Sequence, residues 1–207
     1  MTLMDILAIL LVLALLAAAG FGIYYYFKKK NKKNDRSAPK AGAGEPLHDA
    51  KANATFVRKL KTSAWKRELP VIIPNPEKSP FCALLVSPSG VTAFYGADYT
   101  GTVYGGPDEQ WAQIADNVRR PFRSPLLAAE DARKELRDKL SSAHLGAFMD
   151  TSRVVMTAPK AELCIPRNTG VFSVKDTLHD VEYSEELMTK RRFEEAKVQK
   201  FLEETYL

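Results

Sequence analysis

The feature that most constrains this chain is an apolar run near its start. Residues 6–27, ILAILLVLALLAAAGFGIYYYF, contain no charged side chain. A helix crosses the hydrocarbon core of a membrane with about 20 apolar residues, so the run predicts a transmembrane helix. A cleaved signal peptide is the alternative, but it would carry a basic leader and end at a small-residue cleavage site. Here the leader is acidic and the run ends in aromatic residues, which suit the membrane interface.

A lysine cluster follows the run directly and consists of Lys28, Lys29, Lys30, Lys32 and Lys33. Positive charge beside a span marks its cytoplasmic side, so residues 1–5 are predicted outside and the rest of the chain in the cytoplasm. The expected location is therefore the cell membrane, with a single pass. The lysines are also candidates for anionic lipid contact, at about 1 kcal/mol per charge, although they are equally explained as a topology determinant. Residues 28–50 are predicted to be a basic juxtamembrane segment and a flexible linker rich in Ala, Gly and Pro.

The net charge of +5 is concentrated beside this predicted span. Residues 1–40 hold seven of the 30 basic and two of the 25 acidic residues, so the remainder carries 23 of each. A neutral domain weakens the case for generic phosphate binding. Cys82 and Cys164 lie in apolar, strand-like runs and are predicted to be buried thiols of a reducing compartment. The three histidines show no metal-ligand spacing, so neither a metal nor a cofactor is predicted.

Residues 51–183 interleave helical and strand patterns and predict an α/β domain with one mixed sheet. Ser124 and Pro125 form a favourable start for a helix. Two strands flank the sequence Ser-Pro-Ser-Gly and predict a β-hairpin. Helices are predicted over 51–69, 111–120 and 126–140, and strands over 71–73, 81–86, 91–95, 102–104, 153–156 and 171–174.

The last segment, residues 184–207, predicts a highly charged helix that begins at Ser184. Its apolar residues are sparse, so such a helix would bury little of itself. Two alternatives remain at this point. The helix either extends from the domain to pair with a partner or a second copy, or it is a solvated terminal helix.

Several short motifs in fixed order carry a resemblance to a known family. They are LLVSPSGVTAF, DYTGTVYG, WAQ, RSPL, VVMTAPKAEL and VFSVKDTL, spread over roughly residues 51–182. In this order they resemble the nuclease-related domain (NERD) family, a branch of the PD-D/E-x-K restriction-endonuclease-like superfamily. The resemblance implies a restriction-endonuclease-like mixed β-sheet flanked by helices, preceded by the transmembrane helix.

The resemblance also implies where catalytic groups would lie. Such domains carry one acid on the first hairpin strand and an E-x-K pair on the second, because carboxylates hold the divalent metal that activates water. The motif match puts Cys82 at the first acid and Tyr95 and Ala97 at the E-x-K pair. A thiol is too soft for magnesium, and a phenol is not a carboxylate at neutral pH. The resemblance therefore implies a degenerate, non-enzymatic member of the family.

These observations lead to one expected function and one alternative. We expect a single-pass membrane protein that presents a catalytically inactive nuclease-like domain as a binding or scaffold module, with a protein partner or a second copy. The alternative is a membrane-tethered nucleic-acid-binding protein, or a metal-dependent nuclease whose acids have moved to the region of Asp98. Arg119, Arg120 and Arg123 are the candidate phosphate contacts, with a solvated helix end as their other interpretation.

Overall fold

The structure is a computed structural model that describes residues 40–41, 44–106, 110–145, 149–166, 169–189 and 194–207. The predicted span over 6–27, the leader 1–5 and the lysine cluster lie outside the described residues. Within the described part of the chain, none of the helices has the length and apolar character needed to cross a bilayer. The chain divides into two compact units, Met1–Lys40 and Ala41–Leu207. The second unit carries the fold described below.

The described residues form a mixed α/β structure, which confirms the predicted fold class at this level. The helices are α1 (Ala52–Trp65), α2 (Pro125–Ser142), α3 (Val174–Tyr183) and α4 (Glu195–Tyr206), with a 3-10 turn at Glu186–Met188. The strands are β1 (Lys40–Ala41), β2 (Val71–Ile72), β3 (Ala83–Ser87), β4 (Gly90–Ala97), β5 (Thr102–Tyr104), β6 (Trp111–Ala115), β7 (Val118–Phe122), β8 (Met149–Met156), β9 (Glu162–Cys164) and β10 (Val171–Ser173). They form two mixed sheets of five strands each, so the prediction of a single sheet is wrong. We call the sheet that contains the long strands β4 and β8 the large sheet and the other the small sheet.

The large sheet has the strand order β10-β8-β4-β3-β2. Strands β3 and β4 pair antiparallel as the predicted hairpin, and β8 pairs parallel to β4. All five residues of β3 are buried. This is typical of a strand covered on both faces, whose sequence is a nearly continuous apolar run.

Helices cover both faces of the large sheet. One face packs against α2 and α4 through Leu84, Val86, Val91, Ala93, Ala132, Leu136, Leu140, Val198, Leu202 and Tyr206. The other face packs against α1 and α3 through Phe56, Val57, Leu60, Ala64, Ala83, Leu85, Phe94, Val155 and Val181. The core of the domain is therefore a three-layer sandwich of helices, sheet and helices.

The C-terminal helix differs from both sequence-based alternatives. Helix α3 ends at Tyr183, so Ser184 follows a helix rather than beginning one, and α4 starts at Glu195. Val198, Leu202 and Tyr206 of α4 are at most 3% exposed. Their spacing of four residues forms a narrow apolar stripe, which is sufficient to dock the helix onto the large sheet despite its many charges.

The small sheet has the order β1-β7-β6-β5-β9 and contains the clearest error of the sequence analysis. Residues 111–120, predicted as a helix, form the β6–β7 hairpin instead. Asp116 and Asn117 make its two-residue turn with φ of 53° and 59°. A turn with two positive φ angles matches the twist of a hairpin, and Asn and Asp tolerate that conformation.

A third apolar cluster fills the region next to α2 where the two sheets approach. It contains Ala97, Tyr99, Val103, Trp111, Ala129, Val154 and Met156. The buried indole of Trp111 donates a hydrogen bond to the Gly106 carbonyl over 3.0 Å. Ser124 stands at the start of α2 as predicted, but its hydroxyl makes no cap and is buried without a hydrogen-bond partner among the described residues.

Candidate functional site

A polar cluster lies where β4 ends and consists of His48, Asn53, Asp98 and Thr157. His48 Nδ1 and Asp98 Oδ1 are 2.5 Å apart. The Asn53 amide donates to Asp98 Oδ2 over 3.3 Å, and Thr157 Oγ1 donates to Asn53 Oδ1 over 2.7 Å. These bonds connect the segment before α1, the helix itself and the ends of β4 and β8.

Close approach of backbone and side chain fixes the geometry of this polar cluster. The Asn53 side chain lies directly over Gly96, where an added Cβ would come within 2.2 Å of Asn53 Oδ1. Only glycine leaves this space open. The Thr157 N–H donates to the Ala97 carbonyl over 2.9 Å, which holds β8 beside the end of β4.

The polar cluster pairs one carboxylate with one imidazole. The Asp98 carboxylate orients the imidazole of His48, which is about half exposed. One carboxylate and one imidazole do not make a metal site, and the described part of the chain has no group of three or more His, Cys, Asp or Glu placed to hold an ion. Sequence reasoning identified Asp98 but missed His48, Asn53 and Thr157, because they come from distant parts of the chain.

Cys82 occupies the position at which the motif match expects the first acid, but its side chain is a protonated thiol and not an anionic metal ligand. Its thiol donates to the Phe94 carbonyl over 3.3 Å, and its backbone N–H donates to the same oxygen over 2.9 Å. Burial raises the pKa of the thiol to about 12. Because the thiolate is the reactive form, Cys82 is inert at neutral pH.

Tyr95 and Ala97, at the E-x-K positions, lie on the side of the large sheet that faces α2. Tyr95 packs against the two apolar clusters on that side, and Ala97 is buried in one of them. Burial raises the pKa of the Tyr95 phenol, and the nearby Asp98 charge acts in the same direction. Cys82 packs instead with the cluster on the α1 side. The structure therefore does not gather the three positions into one constellation.

The three candidate arginines are also dispersed. Arg119 and Arg120 are neighbours on β7, not at a helix end, so their side chains project to opposite faces of the small sheet. Arg120 donates to the Ala115 carbonyl over 3.1 Å, and Arg123 pairs with Asp131 of α2. No common phosphate-binding patch results from these positions.

The two cysteines have different surroundings. Both are free thiols, and Cys82 is partly buried whereas Cys164 is exposed. The prediction of a buried thiol is therefore wrong for Cys164. Its strand, β9, lies at the edge of the small sheet, where two of its three residues are exposed.

A cleft opens between α1 and the segment that leads into β3. Its volume is about 730 Å³. The lining is mainly apolar and comprises Asn53, Ala54, Val57, Arg58, Lys61, Thr62, Ile73, Pro74, Pro76, Ser79, Pro80, Phe81 and Cys82. The two cations of this cleft, Arg58 and Lys61, are exposed, and neither forms an ion pair with a described residue. Asn53 and Cys82 connect the cleft to the polar cluster and to the hairpin.

A second cavity of about 360 Å³ lies on the other flank of α1. Lys51, Lys59 and Lys175 are among its lining residues, together with Thr157. The hydrogen bond between Thr157 and Asn53 therefore joins a residue of this cavity to a residue of the cleft.

The chain has no match among protein-family models, curated proteins or solved structures. The NERD resemblance accordingly stays a prediction from motifs. Function has to be argued from the cleft and the polar cluster themselves.

Proposed function

We propose that this chain is a single-pass membrane protein whose cytoplasmic domain binds a partner in the cleft beside α1 and does not hydrolyse nucleic acid. The observation that carries this proposal is the position of Cys82. The motif match places it where a metal-dependent nuclease holds its first acid, and in this structure it lines an apolar cleft. The mainly apolar walls of this cleft suit an apolar ligand better than a metal ion or a bare phosphate.

The shape and chemistry of the cleft support binding. Its volume of about 730 Å³ falls within the range of ligand sites, roughly 300–1,000 Å³. Apolar walls supply affinity through the area they remove from water, and a few polar groups orient the ligand. Arg58 and Lys61 supply positive charge at this cleft, which favours a ligand with an acidic or phosphate group beside its apolar part.

The chemistry at the hairpin supports the absence of hydrolysis. The Cys82 thiol and the Tyr95 phenol both have raised pKa values, so both are neutral at pH 7. Neutral sulfur and phenol oxygen are poor ligands for magnesium, which prefers carboxylates and water. Ala97 offers no cation where the family holds its lysine.

Hydrolysis is tested with the full-length protein in phosphatidylcholine nanodiscs. Single- and double-stranded DNA and RNA, incubated with Mg²⁺ or Mn²⁺, are expected to stay intact. The control is Asp98→Asn, because the alternative function places a moved acid at this residue. Cleavage by the wild-type protein that disappears in Asp98→Asn would overturn the proposal in favour of a nuclease.

Binding is tested by a photoreactive amino acid at Ile73, which lines the cleft and is 41% exposed. Irradiation in native membranes is expected to give a discrete adduct. Ala54→Trp, which fills the cleft, should remove the adduct, whereas Leu127→Trp on α2 should retain it. An adduct that survives Ala54→Trp, or no adduct at all, would contradict the cleft as the binding site.

A further inference from the structure

One helix of the domain combines a tryptophan in water with an excess of positive charge. Trp65 is 82% exposed, the highest value of any large apolar side chain in the described residues. Residues 50–67 contain six Lys or Arg and no acid. Lys66 pairs with Glu182, whereas Arg58 and Lys61 form no ion pair with a described residue. A tryptophan beside such cations suits a ligand that has both an anionic group and an apolar part.

The helical repeat gathers these groups on one side of α1. Arg58, Lys61 and Trp65 are spaced by three and four residues, so they share a face. Together with Ala54 and Thr62 they form what we call the outer face of α1, and all five residues are exposed. The opposite side carries the buried Phe56 and Leu60, which fix the helix on the large sheet. The outer face is therefore presented rigidly.

We propose that the outer face of α1 docks the domain onto anionic lipid headgroups of the membrane that anchors the chain, with Trp65 inserted at the interface. The inference rests on the proposed function, since it assumes the membrane tether. It identifies lipid as the partner that binds on the α1 side of the cleft. Tryptophan favours the headgroup layer because its ring is apolar and its N–H is polar. Arg58 and Lys61 add electrostatic attraction to an anionic surface.

The chain order supports contact with this membrane. On the sequence-based prediction, residues 28–39 separate the span from β1, which pairs in the small sheet. A coil of this length has a root-mean-square reach of about 19 Å, which keeps the domain at a high effective concentration near the bilayer. Weak contacts on the outer face are sufficient under those conditions.

Charge distribution favours lipid over nucleic acid. The chain beyond residue 40 carries equal numbers of basic and acidic residues, so its net charge gives a long polyanion little attraction. The cations of the outer face are instead confined to one helix beside an apolar cleft. The exposed Ile73 and the prolines of that cleft offer walls that suit an acyl chain better than a base or a sugar.

Tryptophan fluorescence provides a direct test in the full-length protein, because the chain has two tryptophans. Trp111 is fully buried and hydrogen-bonded, so it supplies a constant background. The protein is placed in nanodiscs of phosphatidylcholine alone or mixed with phosphatidylserine. We expect a shift of the emission to shorter wavelength and quenching by brominated acyl chains in the anionic nanodiscs alone. Added salt should reverse both effects.

Charge reversal identifies the surface. Arg58→Glu with Lys61→Glu is expected to abolish the shift, and Trp65→Phe should remove the signal itself. The matched control is Lys134→Glu with Arg137→Glu on α2, which has the same spacing and charge change on the other side of the large sheet. Circular dichroism of both double variants should match the wild type, since all four side chains are exposed.

The outcomes separate this inference from the proposed function. A shift of equal size in neutral nanodiscs, or one that survives the α1 double variant, would overturn lipid docking. A shift produced by nucleic acid or by a bound protein in neutral nanodiscs would likewise replace lipid with that partner. If lipid docking fails while the Ile73 adduct still depends on an open cleft, the proposed function stands without it.

Discussion

The two sheets of the domain are stabilised in different ways. The large sheet is covered by helices on both faces, and its central strands are almost entirely buried. In the small sheet the central strand β6 is mostly buried, but β7 alternates between exposed and half-buried residues and β9 is largely exposed. Area removed from water dominates the first sheet, whereas individual hydrogen bonds and close contacts matter more in the second. Matched substitutions in the two sheets test this difference.

The largest effect is expected from Phe94→Ala in the large sheet. Phe94 is 1% exposed and packs edge-to-face on Phe56 with ring centroids 5.9 Å apart. Loss of its ring should lower the free energy of unfolding by about 3–5 kcal/mol, because a cavity remains in a tightly packed core. Urea denaturation in detergent, followed by circular dichroism, measures the change.

Phe122→Ala is the matched variant in the small sheet. Phe122 is half-buried and stacks on Tyr99 with centroids 4.2 Å apart. Its loss should cost about 1–2 kcal/mol, since solvent already reaches the ring. Equal losses for the two variants would contradict the proposed difference between the sheets.

Gln113 provides the next test, because its amide connects the small sheet to the chain before α1. Its Oε1 accepts from the Leu47 N–H, and its Nε2 donates to the Leu47 and Thr100 carbonyls, each over 2.7 Å. Gln113→Met keeps the volume but leaves these groups without partners, at a cost of about 1–3 kcal/mol. Hydrogen exchange at Leu47 should accelerate. The control is Gln199→Met on α4, whose amide contacts Glu203 of the same helix and should cost little.

The elements that could be predicted from sequence are those with local signals. The β3–β4 hairpin, α1 and α2 were predicted because apolar periodicity and turn residues lie within a few positions of each other. Strand β5 was also predicted, but its membership of a second sheet was not, since pairing partners are not encoded locally. The β6–β7 hairpin was predicted as a helix because its turn, Asp116-Asn117, was not recognised as one with positive φ.

The candidate site was harder to predict for the same physical reason. The bonds from His48 to Asp98 and from Asn53 to Thr157 join residues 50 and 104 positions apart. Sequence spacing gives no indication of such contacts. The motif match identified the hairpin but could not show that Cys82 packs on a different side of the large sheet from Tyr95.

Thiol labelling of the two cysteines tests how deeply each is buried without a large change in stability. A thiol reagent at neutral pH should label Cys164 rapidly and Cys82 much more slowly until the chain unfolds, because burial raises the pKa of Cys82 from 9.0 to about 12. Between these values the unfolded chain releases the proton and the folded chain keeps it, so stability should fall as the pH rises. Cys82→Ala should reduce that slope. Equal labelling rates for the two folded-state thiols would show that Cys82 is accessible.

The smallest effects are expected from two Arg–Asp pairs, one beside each sheet. Arg153 of β8 bonds Asp180 of α3 over 2.7 Å, and the arginine is 20% exposed. Arg123, after β7, pairs with Asp131 of α2, and both side chains are more than half exposed. Double-mutant cycles to alanine should give a coupling of about 0.2–1 kcal/mol for the exposed pair, because water and salt screen it. The pair beside the large sheet should couple more strongly and lose less of its coupling in high salt. A stronger, salt-resistant coupling for Arg123 would mean that the small sheet shields its charges as well as the large one does.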